Sequence, residues 1–365
     1  MFVPRGPFDL LGAFKGADFV HFYTVGAVAY SQRPALLYDH AALHEFQTSL
    51  VPASVAERYL SVYPPQTAIV FAPLSRLPYG MAAIVWALLT AVIYAGVTTL
   101  AARVVPLPRA LLIAALASFP PFWNLIWYGQ TTAMPLLAFG LGGAAILRGW
   151  RLGAGMALGV LAIKPQLGLV LAVVLIVGRE WRIIAGIAAS WLVQFAIVTA
   201  VLGLEVWGEY ARVISQLPEF RDALEPKPGM LHSLAAVTTA LPDRYRMWVW
   251  LVISVPVVYV ACAVWRGPAA TPIKLAILVL ASVLVSPHLT IYDATVLALP
   301  LLWVGSQLTQ DRVPTFVAMV YVLVATLLVP TAKFLPLQAS VLVMLWMFYD
   351  INRWYGRTGA RSTGN

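Results

Sequence analysis

The chain has 365 residues, of which 61% are hydrophobic and 11% charged, with a mean hydropathy of +0.82. That balance excludes an ordinary soluble domain and defines a polytopic membrane protein. The formal charge of +9 points to no nucleic-acid surface, because the Arg residues stand singly or in pairs at the ends of apolar runs. The lone cysteine, Cys262, excludes an intrachain disulfide framework and a multi-Cys metal site.

Residues 1–79 read as an extracytoplasmic first loop with amphipathic and re-entrant segments. Residues 1–15 hold Pro4, Pro7, Asp9 and Lys15 without an apolar core, so they do not form a secretory signal peptide. Gly16-Ala17-Asp18-Phe19-Val20-His21-Phe22-Tyr23 then sets one carboxylate among aromatics, in a stretch too short and polar to cross a bilayer. A solitary acid of this kind is ordinarily a cap or a solvated charge, and the residues of this stretch alone leave that reading open. Gln66 to Leu77, after Tyr63-Pro64-Pro65 and with Pro73 inside, fits an interfacial or re-entrant segment.

From residue 80 to 350 the chain is a run of apolar segments, and a helical crossing takes roughly 20 residues. The runs do not alternate apolar and polar, which excludes an outer-membrane barrel. The turns at Arg103/Arg109, Arg148/Arg151, Arg179/Arg182, Arg266/Lys274, Arg312 and the tail Arg353/Arg357/Arg361 hold twelve of the 24 Lys and Arg residues. They hold three of the 15 acids, Glu180, Asp311 and Asp350, leaving twelve of each sign elsewhere. Those turns and the tail, 351–365, are therefore assigned to the cytoplasm. Spans are expected at about 80–102, 183–203, 247–265, 313–330 and 335–350.

Cytoplasmic flanks make three stretches hairpins. Residues 110–147 turn near Pro120-Pro121-Phe122-Trp123-Asn124 and Tyr128-Gly129-Gln130, residues 152–178 at Lys164-Pro165-Gln166, and residues 275–307 at Ser286-Pro287-His288. The arms of the second are roughly 18 Å long against a hydrocarbon core of roughly 30 Å, so Lys164 should stop within the outer half of the membrane and line a protein cavity. Gly153-Ala154-Gly155 with Gly159 reads as close helix packing. The segment 204–246 is an extracytoplasmic loop with alternating charges and His232, with Pro226 and Pro228 suggesting mobility; it reads as a solvated lid by default, with substrate contact the open alternative. The count is about eleven spans, and with a cytoplasmic C-terminus it places Asp18 outside and predicts a further helix ahead of Met1.

The outer face then collects Asp18, His21, Tyr63, Gln130, Lys164, His288 and Asp293. If a lipid phosphate enters there, Lys and His bind it and stabilise the leaving-group charge, while a carboxylate takes the proton of an attacking hydroxyl. No metal-ligand spacing is present, although a carboxylate plus phosphate could hold a divalent cation. Neither a phosphate-cradling Gly loop nor a GxSxG elbow occurs. A transporter or flippase of lipid-linked saccharides could use the same tips as a path, but no repeat relates the early and late hairpins.

Gly16-Ala17-Asp18-Phe19, Leu37-Tyr38-Asp39, Tyr63-Pro64-Pro65 with Ala72-Pro73-Leu74 and Trp86, Gly129-Gln130, Ala154-Gly155 to Lys164-Pro165, and Ser286-Pro287-His288 with Tyr292-Asp293 together resemble glycosyltransferase family 87. The resemblance runs from about residue 12 to 350. It implies an all-α transmembrane bundle of GT-C type and an inverting transfer of a hexose, mannose first, from a polyprenyl-phosphate sugar to a lipid or glycan acceptor. The implied setting is the extracytoplasmic face of the plasma membrane, with membrane lipids and no nucleic acid as partners. By the same resemblance Asp18 is the general base, Lys164 and His288 lie near the donor phosphate, Gln130 touches donor sugar or phosphate, Tyr63 forms a wall, and Asp293 starts a helix or packs. Family members carry a transmembrane helix ahead of the first-loop acid, and this sequence shows none before Asp18.

Overall fold

A computed structural model describes residues 14–31, 33–103, 105, 108–219, 230–329, 331 and 338–355. The described residues are helical and contain no strand. In chain order the α-helices are α1 Ala17–Val28, α2 His40–Leu50, α3 Gln66–Phe71, α4 Tyr79–Ala102, α5 Arg109–Ala117, α6 Pro120–Tyr128, α7 Ala133–Leu147, α8 Arg151–Leu158, α9 Leu169–Val177 and α10 Trp181–Leu202. They continue with α11 Glu205–Ser215, α12 Ala235–Thr238, α13 Asp243–Arg266, α14 Thr271–Val285, α15 Ala298–Gly305, α16 Val313–Leu328 and α17 Ala339–Tyr355.

Among the described residues four helical segments are long and apolar enough to cross a bilayer, namely α4, α10, α13 and Gln310–Leu328, and a fifth span results if α5 and α6, bent by 45°, count as one. The remaining apolar elements, such as Arg151–Ile163, Pro165–Val177 and Asp293–Gly305, are shorter than a crossing requires. By length and composition, four to five of the described segments therefore suffice for a full crossing, and the expected count of about eleven includes the shorter arms. Pro120-Pro121, expected at a turn, instead opens α6, where a missing amide costs no intrahelical bond. The chain bends just before it, at Ser118-Phe119, and breaks again at Gly129, the other expected turn.

The described chain divides into two compact units. The first takes residues up to 92, 125–131 and 191–219. Its core joins Val25, Val28, Leu37, Tyr38, Leu43 and Ala68 to Val198, Leu202, Val206 and Val213. The start of the expected loop 204–246 is therefore the packed helix α11, with Val206 and Val213 buried, the Trp207 indole donating to Thr199 Oγ1 at 3.0 Å, and Tyr210 against Tyr38. Arg221, Asp222, Pro226, Lys227 and Pro228 lie outside the described residues, as do 1–13 and the tail from 356.

The second unit takes residues 93–124, 132–190 and from 230 onward. Here the hairpins predicted at 152–178 and 275–307 are visible. The first has its helices interrupted at Lys164, and its feet meet where Arg151 Nη1 donates to Glu180 Oε1 at 3.1 Å. The second is interrupted at Ser286 to Tyr292, and its feet converge on Gly143, whose added Cβ would lie 2.7 Å from Trp303 and 3.4 Å from Leu275. Arg312 likewise pairs with Asp350, joining the start of α16 to the end of α17. Each of these two ion pairs ties together residues of separate basic turns.

Gly155 and Gly159 lie against α10. A Cβ on Gly155 would overlap the Ile183 carbonyl and the Gly186 backbone, and one on Gly159 would overlap Ser190, whereas Gly153 meets only Trp150 at 3.9 Å. Small residues let the two backbones approach. Gly155→Leu should destabilise the protein by about 3 kcal/mol or more, with Gly153→Leu neutral, measured as thermal unfolding in detergent.

Candidate active site

In the first unit the geometry starts at Gly16, whose φ of 65° ends the incoming chain and opens α1. Tyr79 Oη donates to the Lys15 and Gly16 carbonyls at 3.1 and 3.2 Å, and Tyr59 Oη to the Ala17 carbonyl at 2.5 Å, so three backbone oxygens at the helix start are tied down. Asp18 follows in the first turn, where a negative charge suits the helix dipole. Phe19 and Phe22 are buried against Phe71.

The Gly129 turn meets this helix. Its φ is 68°, and an added Cβ would fall 2.5 Å from Phe19 Cβ, so both conformation and space require glycine there. Trp86 Nε1 donates to its carbonyl at 3.0 Å. The next residue, buried Gln130, donates from Nε2 to Asp18 Oδ2 at 2.7 Å. Its Oε1 accepts from Tyr63 Oη at 3.1 Å and Thr131 N at 3.2 Å. Two donors on Oε1 fix the amide so that its NH2 faces the carboxylate. Gln130→Leu should lower turnover by about 10²-fold at unchanged donor affinity, because the carboxylate loses its orientation. Initial rates and donor binding on one preparation would test this.

His21 is buried among Tyr59, Tyr63 and Phe22, with ring centroids at 5.3, 6.2 and 5.6 Å, and its Nε2 has no hydrogen-bond partner among the described residues. Burial first and then His40 hold its pKa down to about 4. It is neutral at pH 7 and brings an aromatic wall rather than a positive charge. Tyr59 is pushed up by burial and by the Asp18 and Glu57 charges, so it stays protonated as a donor.

In the second unit Lys164 and Asp293 form a buried ion pair, Nζ to Oδ1 at 2.5 Å, with side chains 3% and 2% exposed. Thr132 Oγ1 accepts from Lys164 Nζ at 3.0 Å and donates to Asp293 Oδ1 at 2.6 Å, closing a triangle. The Tyr292 ring lies 5.1 Å from Nζ. Asp293 Oδ2 accepts from Thr290 N and Oγ1, both at 3.3 Å, so it also holds the start of the 3-10 turn Asp293–Leu297, as expected of a helix-start residue. The half-buried His288 acts electrostatically on Asp293, and its carbonyl accepts from Ser286 Oγ at 2.7 Å.

Two contributors escaped the sequence reading. Thr132 follows two residues after Gln130, and nothing in its type marks it. His232, read as part of a solvated lid, is instead buried, with its backbone N donating to the Leu289 carbonyl and Nδ1 2.7 Å from Ser340 Oγ. The Lys164–Asp293 pair had a usable signal, since a cation at membrane depth requires an anion and Asp293 is the acid beside the Ser286-Pro287-His288 break.

Burial holds the His232 pKa down to about 4 against the partial opposition of Asp293. His21 and His232 are thus neutral when folded but take a proton when unfolded below about 6.5. Their contribution to stability is complete above pH 6.5 and is lost as pH drops from 6.5 to 4. His232→Gln should flatten that acid limb in melts between pH 7 and 4.

Among the described residues no three His, Cys, Asp or Glu side chains cluster to hold a metal ion. The sequence model of glycosyltransferase family 87 matches residues 61–287. The chain is also 31% identical over 222 residues to the polyprenol-phosphate-mannose-dependent alpha-(1-2)-phosphatidylinositol pentamannoside mannosyltransferase of Mycolicibacterium smegmatis, covering 58% of this chain. It spans about half of that relative's length, 50%. No solved structure matches the chain significantly.

Proposed function

Because the chain belongs to glycosyltransferase family 87, we propose that it transfers a hexose, mannose in the first instance, from a polyprenyl-phosphate carrier to a glycolipid or glycan acceptor. The transfer inverts the anomeric carbon at the extracytoplasmic face of the plasma membrane, and the multi-pass bundle has about eleven crossings counting its short arms. The donor class is supported by the mycobacterial-type relative, which is named for polyprenol-phosphate-mannose dependence.

The acceptor oxygen attacks the anomeric carbon as the bond from that carbon to the phosphate oxygen breaks. Asp18 takes the acceptor proton, with Gln130 holding one carboxylate oxygen in place. The electron pair of the broken bond stays on the departing phosphate, whose charge is met by Lys164 and His288. Tyr63 and His21 supply an aromatic wall beside Asp18. The observation that carries this reading is the buried Lys164–Asp293 pair at a broken membrane helix, since an ionised pair at such a place is a functional feature rather than a structural economy.

Membranes containing the protein, incubated with labelled polyprenyl-phosphate-mannose, should produce labelled glycolipid or glycan. Absence of label from a panel of donor sugars and acceptors would rule out the transferase reading.

A further inference from the structure

The feet of the Lys164 hairpin carry a feature that sugar transfer does not use. A cleft of about 400 Å³ is lined by Val177, Gly178, Arg179, Glu180, Trp265 and Arg266, all within the second unit. Its acid is already engaged, since Glu180 Oε1 accepts from Arg151 at 3.1 Å and from the Trp265 indole at 3.2 Å. Arg179 and Arg266 line the cleft, and Lys274 is close enough to interact electrostatically with both Arg151 and Glu180. Four cations thus stand around one neutralised carboxylate.

Arg179 has a φ of 55°, the one left-handed non-glycine residue among those described. It ends α9, with its own N donating to the Ile176 carbonyl at 3.1 Å and Glu180 N to the Leu175 carbonyl at 2.9 Å. Helices place glycine at such a position. The glycine here is one residue earlier, at 178, where an added Cβ would lie 2.6 Å from the Trp265 ring. An arginine kept where glycine would relieve strain indicates use of its charge. Beside the cleft, Val173, Ile176 and Val177 on α9 and Trp181 on α10 are exposed apolar surface. Cationic cleft and apolar flank together match a phosphate with acyl chains attached.

We propose that this cleft binds the phosphate headgroup of an anionic glycerophospholipid, with Arg179 and Arg266 as the phosphate contacts and the acyl chains along α9. The sequence assigns this end to the cytoplasmic side, where anionic headgroups gather against basic residues.

The test titrates phosphatidylglycerol, phosphatidylcholine or inorganic phosphate into the full chain in detergent and reads apparent affinity from thermal shifts. Phosphatidylglycerol should stabilise the protein saturably, and the other two should not. Arg179→Gly and Arg266→Gln should each weaken binding roughly fivefold. Arg179→Gly should melt no lower than the wild type without lipid, because it relieves the left-handed residue, which separates lost binding from lost folding. Arg148→Gln removes an exposed cation outside the cleft and should leave binding unchanged. An equal loss in Arg148→Gln would reduce the effect to diffuse surface charge and overturn the site. Unchanged affinity in Arg179→Gly would overturn it too, and stabilisation by inorganic phosphate alone would overturn the lipid assignment.

Discussion

Asp18→Asn should lower transfer by roughly 10³-fold while donor affinity stays within about twofold of wild type. The substitution keeps the side chain's shape and an oxygen able to accept from Gln130 Nε2, which holds Asp18 Oδ2 at 2.7 Å. The first turn of α1 remains fixed by Tyr59 and Tyr79 through the backbone carbonyls of residues 15–17. What disappears is the capacity to take a proton from the acceptor hydroxyl. The loss should therefore lie in the chemical step, seen in single turnover with labelled donor at saturating acceptor. Transfer within tenfold of wild type would exclude Asp18 as the base. A large loss of donor affinity would make Asp18 a binding residue instead.

Lys164 offers the second large effect. Lys164→Met leaves the Asp293 carboxylate buried without its cation and should destabilise the protein by about 3–5 kcal/mol, in addition to abolishing transfer. Stability and activity can be separated by the double variant Lys164→Met, Asp293→Asn. The amide of the second change can still accept from Thr290 N while removing the stranded charge. Thermal stability should largely return, and transfer should not. Recovered transfer in the double variant would show that Lys164 serves only to neutralise Asp293.

The sequence was legible where one physical signal dominated. Unbroken apolar runs located α4, α10 and α13 to within about four residues of the observed ends, and Pro165 and Pro287, which cannot continue a helix, marked the observed breaks. Basic residues at the feet identified which ends meet, as the Arg151–Glu180 and Arg312–Asp350 pairs show. Legibility failed where the same signal had two meanings. Pro120-Pro121 can end a helix or begin one, and here begins α6. Alternating charge at 204–215 belongs to solvated loop and amphipathic helix alike, and tertiary burial of Val206 and Val213 decided it.

Site geometry was the least legible. Asp18, Lys164 and His288 were singled out from residue type and position, but what holds the first two is remote in sequence. Gln130 lies 112 residues from Asp18, and Asp293 lies 129 residues from Lys164. A side chain's role is visible from its chemistry, whereas its partner is fixed by packing that local sequence does not encode.

The clamp at the feet of the Lys164 hairpin has a mechanical consequence. Arg151, Glu180 and Trp265 pin one end of two helical arms about 20 Å long, and Lys164 rides at the other. Such an arm is a lever with its fulcrum at the Arg151–Glu180 clamp. A tilt of about 5° at the fulcrum moves the tip by roughly 1.7 Å, enough to open a hydrogen bond. Under the proposed lipid site, headgroup binding at the feet would reach Lys164 through this lever. Transfer rates in nanodiscs of graded phosphatidylglycerol content should follow occupancy of the cleft.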